Sequence, residues 1–344
     1  MAETESIKKM AELASAQIFS VFGWEQLPLM NQNWDCVERN KHRKIRAPHS
    51  HPSDAVFRYV DPYSGEDVYV NADLKSYAKT TLKAADLTKT IRDLGRAVEC
   101  ANKSADWKNL YVDQTRSHEV VGLLFIYNHD GGYDEEFGET LASLAPSQFE
   151  LDPNIFLGVV GPQRVLYLNS IAKEIKSLHS DEILPAKEHR RFFFPHLNRS
   201  GAIHQASKAV PLPALLSPLV ILDYEFPESS VPPKNVTETW HRRGYYAFYD
   251  GPGASIHEFK YLLDYFFKYQ IADERTYIAI NLIYCDEDAA AVFDRAKKEF
   301  ARDYWPIGQT NPEQFQSILD NITFRHIQAT VPQFHQTNLG MARK

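Results

Sequence analysis

The stretch His51-Pro52-Ser53-Asp54, Ala55-Val56-Phe57-Arg58-Tyr59-Val60, Asp61-Pro62-Tyr63-Ser64-Gly65-Glu66, Asp67-Val68-Tyr69-Val70-Asn71-Ala72-Asp73-Leu74-Lys75 decides how this chain is read. Two runs of aromatic and β-branched residues flank a Pro/Ser/Gly cluster, which predicts an antiparallel hairpin. A turn centred on Tyr63–Ser64 sets Asp54 directly across from Asp73. A turn centred on Ser64–Gly65 sets Asp54 across from Lys75. Opposed residues on such a pair stand roughly 5 Å apart at Cβ, and residues two apart share one face of a strand. Either register gathers two carboxylates and an amine.

Like charges opposed on a sheet destabilise it, and the usual compensations are a raised carboxylate pKa or a bound cation. Mg²⁺ takes one or two carboxylates together with water and phosphate oxygens. In phosphodiester hydrolysis such a cation activates water and screens the charge gathering on phosphorus. A neighbouring lysine can hold the water or stabilise that charge. Asp54, Asp73 and Lys75 are therefore the candidate catalytic set, with Mg²⁺ or Mn²⁺ as the expected cofactor. A strand-initiating acid beside a surface Asp–Lys pair is the plainer alternative, and spacing alone does not separate the two.

On these residues the chain resembles the PD-(D/E)XK nuclease superfamily, the fold of many restriction endonucleases and resolvases. Pro52-Ser53-Asp54 stands for the family's Pro-Asp with one residue inserted, and Asp73-Leu74-Lys75 for its (Asp/Glu)-x-Lys. The resemblance implies that Asp54 and Asp73 bind metal, that the Leu74 carbonyl adds a ligand, and that Lys75 assists the water or the transition state. In some members an acid of the first helix is a further ligand, which makes Glu12 a candidate. It also implies an α/β fold: a restriction-endonuclease-like mixed sheet flanked by helices, here with a second, smaller α/β module. The expected activity is endonucleolytic, on DNA, in bacterial restriction or phage defence. An RNA-directed nuclease of the same core is one alternative. A nuclease-like fold retained to bind nucleic acid or protein is another, and the intact Asp/Asp/Lys set argues against it.

The family core runs helix, three-stranded meander, helix, strand, and that order can be followed over about residues 5–127. Ile7, Ala11, Ala14, Ile18 and Val21 recur at three- and four-residue steps, predicting a helix over 5–22 that Gly23 closes. Residues 81–102 carry a second such stripe, from Leu82 to Val98. Glu119–Tyr127 is almost continuously apolar, as a strand covered on both faces should be. Ile155–Val160 reads as another buried strand, and Arg164–Leu168 as a shorter one.

With 344 residues and 44% hydrophobic content, the chain has material for two domains. We expect 1–205 to be nuclease-like and 206–344 to be an α/β accessory or recognition domain. Its apolar runs are far short of the roughly 20 residues that span a bilayer, and the start Met1-Ala2-Glu3-Thr4-Glu5-Ser6 has no signal-peptide character. A cytoplasmic protein without membrane contact is expected. Three cysteines, Cys36, Cys100 and Cys285, make no disulfide framework. The set Cys36, His42, His49, His51 matches no standard zinc spacing, so structural zinc is disfavoured.

A net charge of −7 argues against whole-surface attraction to nucleic acid. The acidity is unevenly spread, because residues 1–103 hold 15 Lys/Arg against 14 Asp/Glu. Within them, Arg39, Lys41, Arg43, Lys44 and Arg46 form a dense basic run. These five, with His49 and His51, are the expected phosphate contacts. No Gly-x-x-x-x-Gly-Lys-Ser/Thr loop occurs, so any ATPase or target sensing would come from a protein partner. One active site per chain would favour a homodimer for double-strand cutting.

Residues 180–215 read as loop-rich, with cations and aromatics mixed over Lys187–His196. Beyond Pro218 strands are expected at Leu219–Phe226, Tyr245–Tyr249 and Thr276–Tyr284, and helices at about 256–270 and 287–303. Ser255-Ile256-His257-Glu258 has the form of a capping box. No internal sequence repeat is evident.

Overall fold

The structure, a computed structural model, describes residues 2–42, 50–77, 83–128, 137–144, 149, 151–195, 209–232, 240–304 and 312–332. Contacts divide the chain into two units. The first comprises 1–169, 203–216 and 331–344, and the second 170–202 and 217–330.

The first unit opens with helix α1 (Ala2–Val21), whose Ala11, Ala14 and Ile18 are buried as the periodicity predicts. Gly23, at a φ of 84°, ends it, and the Trp24 amide returns to the Phe19 carbonyl at 3.0 Å. Strand β1 (Glu25–Gln26) follows, then a two-stranded ribbon, β2 (Gln32–Asp35) and β3 (Ser50–Ser53). After a bend at Asp54 the chain enters β4 (Ala55–Val60) and β5 (Asp67–Tyr77). Helices α2 (Ala84–Ala101) and α3 (Ala105–Tyr111) lead to β6 (His118–Asn128). Then come α4 (Phe137–Ala142), β7 (Leu157–Val160) and α5 (Pro162–Ser180), within which the division between the units falls. The short α6 (Leu212–Leu215) returns to the first unit.

The sheet order is β1-β4-β5-β6-β7. β1, β4 and β5 form an antiparallel meander, and β6 and β7 run parallel to β5. This is the predicted helix–meander–helix–strand core, with the β2–β3 ribbon inserted between its first two strands. Ala55 pairs with Ala72, so the hairpin turns about Tyr63–Ser64, the first of the two registers expected. The turn is held by Asp61 Oδ1, which accepts from the amides of Tyr63 and Ser64 at 2.8 and 2.9 Å.

β6 is buried from Val120 to Tyr127, covered on both faces. Phe19 of α1 meets Phe57 and Phe125 on one side. Leu94 and Val98 of α2 pack with Val56, Tyr69, Val120 and Leu124 on the other. Strand alternation therefore puts Asp54, Asn71, Asp73 and Lys75 on the α2 side.

The expected strand at Arg164–Leu168 is instead part of α5. Pro162 suits a first helical turn, and Val165, Leu168, Ile171, Ala172, Ile175 and Leu178 bury one helical face. The four apolar residues Val165–Leu168 are too short a run to show which period they belong to.

The second unit has β8 (Arg190–Phe192), β9 (Leu219–Glu225), β10 (Arg243–Tyr249), α7 (Ile256–Lys268), β11 (Tyr277–Leu282), α8 (Ala289–Tyr304), α9 (Pro312–Asp320) and β12 (Ile322–His326). Its sheet order is β12-β11-β10-β9-β8. β8, β9 and β10 are antiparallel, while β11 and β12 continue parallel to β10. This is the connectivity of the first sheet again: an antiparallel meander, a helix, and two further parallel strands. Ser255 caps α7, its Oγ accepting from the Glu258 amide at 3.2 Å. Phe259, Leu262, Leu263 and Phe266 of α7 join Val292, Phe293, Ala296 and Phe300 of α8 in one core.

Candidate active site

Asp54 lies at the bend between β3 and β4, one step beyond the last ladder pair Ala55–Ala72, which places it opposite Asp73. Its Oδ2 accepts from the Leu74 amide at 3.0 Å. Lys75 Nζ donates to Asp73 Oδ1. All three side chains are half-buried, Asp73 at 18% exposure and Lys75 at 35%. Burial pushes the Asp73 carboxyl up to about 6; the Lys75 ammonium pulls it down, and the Asp54 carboxylate raises it further. Burial works against the charge on Lys75, but Asp73 and Asp54 outweigh it and raise its pKa.

The bend at Asp54 is anchored by the residue before it. Ser53, fully buried, donates from Oγ to Asn71 Oδ1 at 2.6 Å and accepts from the indole N–H groups of Trp34 and Trp107, both at 3.1 Å. The inserted residue of Pro52-Ser53-Asp54 thus ties β3 to β5, β2 and α3 at once. On the other side, the Asp54 carbonyl accepts from the Asn31 amide at 3.0 Å, and Asn31 Nδ2 donates to Glu12 Oε1 at 3.1 Å. Asn31 has a φ of 57°, a conformation that asparagine tolerates better than most residues. Glu12 is therefore one side chain removed from Asp54.

Asp73 and Lys75 open into a cavity of about 460 Å³. Its opposite wall is the polar face of α2, where Asp86, Lys89, Thr90, Asp93 and Arg96 recur at helical spacing. Lys89 and Arg96 were not among the expected phosphate contacts. Their signal in the sequence is the polar complement of the stripe that predicts α2.

Of the expected phosphate contacts, Arg43, Lys44, Arg46 and His49 lie outside the described residues. Arg39 pairs with Asp35 at 2.8 Å and donates to the Cys36 carbonyl, and Lys41 pairs with Glu99 at 2.6 Å. His51 is 3% exposed, its ring 5.1 Å from that of Trp34, and it lines the cavity.

Residues 1–164 match the family model described as the GAPS4 protein PD-(D/E)XK nuclease domain. They form a PD-(D/E)XK nuclease domain. No curated protein and no solved structure matches the chain. PD-(D/E)XK nucleases use divalent metal ions, and the donors gathered here fit one. The carboxylates of Asp73, raised in pKa by burial and by its neighbour, and of Asp54 form a hard oxygen set suited to a hard divalent cation.

Among the described residues of the second unit, the equivalent ladder position carries no counterpart of this set. One step beyond its last β9–β10 pair, Leu219–Tyr249, stand Pro218 and Asp250. Asp250 thus occupies the ladder position of Asp73, but Pro218 replaces Asp54, and Gly251-Pro252 replaces Leu74-Lys75. The Asp250 amide donates to the Pro218 carbonyl at 2.8 Å. The Asp/Asp/Lys pattern is therefore not repeated at this ladder position.

Among the described residues no helix is long and apolar enough to cross a membrane.

Proposed function

We propose that this protein is a Mg²⁺- or Mn²⁺-dependent endonuclease acting on DNA in bacterial restriction or phage defence, in the cytoplasm. The reading is carried by one observation: Asp54, Asp73 and Lys75 converge at one end of the β4–β5 hairpin, where Asp73 and Lys75 line a polar cavity. Asp54 and Asp73 would hold the cation, with the Leu74 carbonyl and Glu12 as further ligands. When bound, the cation would ease loss of a proton from water and offset the charge growing on the phosphate.

The chain's own groups do the rest. The Leu74 amide fixes one oxygen of Asp54. Lys75, held by Asp73, is placed to donate to the attacking water or to a non-bridging phosphate oxygen. The water would attack phosphorus in line, giving up its proton to bulk solvent, and the 3′ or 5′ oxygen would leave with a proton taken from solvent. Lys89 and Arg96 on α2 would hold the phosphates flanking the scissile bond, joined by the basic run Arg39–Arg46. The second unit would serve recognition of the target or of a protein partner that supplies sensing.

A cleavage panel tests this, with single- and double-stranded DNA and RNA, with and without Mg²⁺ or Mn²⁺. Wild-type protein should cut DNA only with the cation. Asp73→Ala and Lys75→Ala should lose at least about 100-fold in rate while keeping their circular-dichroism spectrum. Normal cutting by either variant would refute the site.

A further inference from the structure

Cys36, His42, His51 and Cys100 are each 3% exposed or less, and their ligand atoms lie within 4.8 Å of one another. Cys36 Sγ is 3.6 Å from both Cys100 Sγ and His42 Nδ1, and Cys100 Sγ is 3.3 Å from His42 Nδ1. Around a tetrahedral zinc, with Zn–S near 2.3 Å and Zn–N near 2.0 Å, the ligand-to-ligand edges come to roughly 3.8 Å for S–S and 3.5 Å for S–N. The two sulfurs and the imidazole are thus spaced almost as the metal would space them. They are too far apart for a disulfide, whose sulfurs stand about 2.05 Å apart.

The surroundings also suit a metal. Glu99, buried, faces His42 Nε2 at 3.2 Å, the carboxylate–histidine arrangement that leaves Nδ1 free to ligate. Glu99 is in turn held by Lys41. The rings of His42 and His51 stand at 82° to each other, 5.6 Å apart, so both can address one point. The four residues come from the end of β2, the turn after it, β3 and α2.

We propose that Cys36, His42, His51 and Cys100 bind one structural Zn²⁺, separate from the cation at the Asp54/Asp73 site. Thiolates and imidazoles select zinc, whereas the carboxylate pair selects a harder ion. Both thiols give up their protons on binding. The metal fastens the β2–β3 ribbon to α2, and β3 runs directly into Asp54. It also pins residues 42 and 51, the two ends of the segment carrying Arg43, Lys44 and Arg46. Its role is to position the wall that presents Asp54. The proposal does not depend on nuclease activity, because metal content is measured without it.

The test uses full-length protein expressed with zinc supplied and purified without chelators. Metal analysis should return about one zinc per chain, and X-ray absorption at the zinc edge two sulfur and two nitrogen neighbours. Asp73→Ala should retain the zinc, and Cys100→Ser should lose it at least about tenfold. Should Cys100→Ser fail to fold, cobalt-substituted wild-type protein decides instead, through visible d–d bands and a near-ultraviolet thiolate charge-transfer band. Folded protein that takes up neither zinc nor cobalt would overturn the proposal. So would an intact mass two hydrogens lighter, marking a Cys36–Cys100 disulfide, or a zinc shell of oxygen only.

Discussion

Asp73 is where sequence spacing becomes an energetic cost. Its carboxyl titrates near 6 because burial and Asp54 together outweigh the help from Lys75. An unfolded aspartate titrates near 3.9, so the folded state holds the extra proton between about pH 4 and 6. Its favourable contribution is complete below about pH 4 and is lost as the pH rises through about 6. At pH 7.5 without added divalent cation, the fold therefore bears the ionised pair. Asp73→Asn should raise stability there by about 1–3 kcal/mol, seen as a higher melting temperature, with the gain gone at pH 4. Mg²⁺ should raise the melting temperature of wild type and not of the variant. A variant that melts lower at both pH values would contradict this account. Ser53 makes the opposite prediction. Ser53→Ala strands two indole donors and the Asn71 oxygen, so unfolding in urea should show a loss of about 2–4 kcal/mol.

At the scale of elements, what could be read from the sequence was whatever local chemistry dictates. The β4–β5 hairpin was legible because Asp61 and Gly65 build its turn and its strands are aromatic and β-branched. α1, α2 and β6 were legible from their periods. Arg164–Leu168 differs from the expected strand because four consecutive apolar residues do not reveal whether they recur every two or every 3.6 positions. The β2–β3 ribbon went unseen: its four-residue strands are too polar to alternate, and it is held by Trp34, Ser53 and the Cys/His cluster rather than by a hydrophobic face. Cys100 escaped notice as a partner of Cys36 because 64 positions and a helix separate them, and only the fold closes that distance. Packing between strands is equally silent in the sequence. A Cβ on Gly244 would sit 2.5 Å from the Tyr277 carbonyl oxygen, a backbone atom of β11 that cannot swing aside. Gly244→Ala should therefore cost about 1–3 kcal/mol, and hydrogen exchange should accelerate in β10 and β11. Unchanged protection in those strands would mean that β11 gives way more easily than its two parallel ladders suggest.

For the whole molecule, the repeat of connectivity matters because it is not a repeat of chemistry. Both sheets add two parallel strands to an antiparallel meander, yet among the described residues only the first assembles Asp, Asp and Lys. The sequence concealed this, since the two units share a fold without sharing residues at the positions that would reveal it. Asp250 is the informative exception: it keeps the ladder position of Asp73, while Pro218 and Pro252 stand where the first unit has Asp54 and Lys75. Asp250→Ala should leave cleavage within about twofold of wild type, where Asp73→Ala abolishes it. Under the proposed function, one catalytic set among the described residues also dictates how duplex DNA would be cut. A single set opens one strand at a time, so supercoiled plasmid at low protein concentration should accumulate nicked circles before linear product. Raising the concentration should make linear product appear with a steeper than first-order dependence, as two chains come to share a site. Linear product that appears at once, with strictly first-order dependence and in Asp250→Ala as much as in wild type, would mean that one set severs both strands in succession. A loss of double-strand cutting confined to Asp250→Ala would instead show that the second unit contributes a reacting group after all.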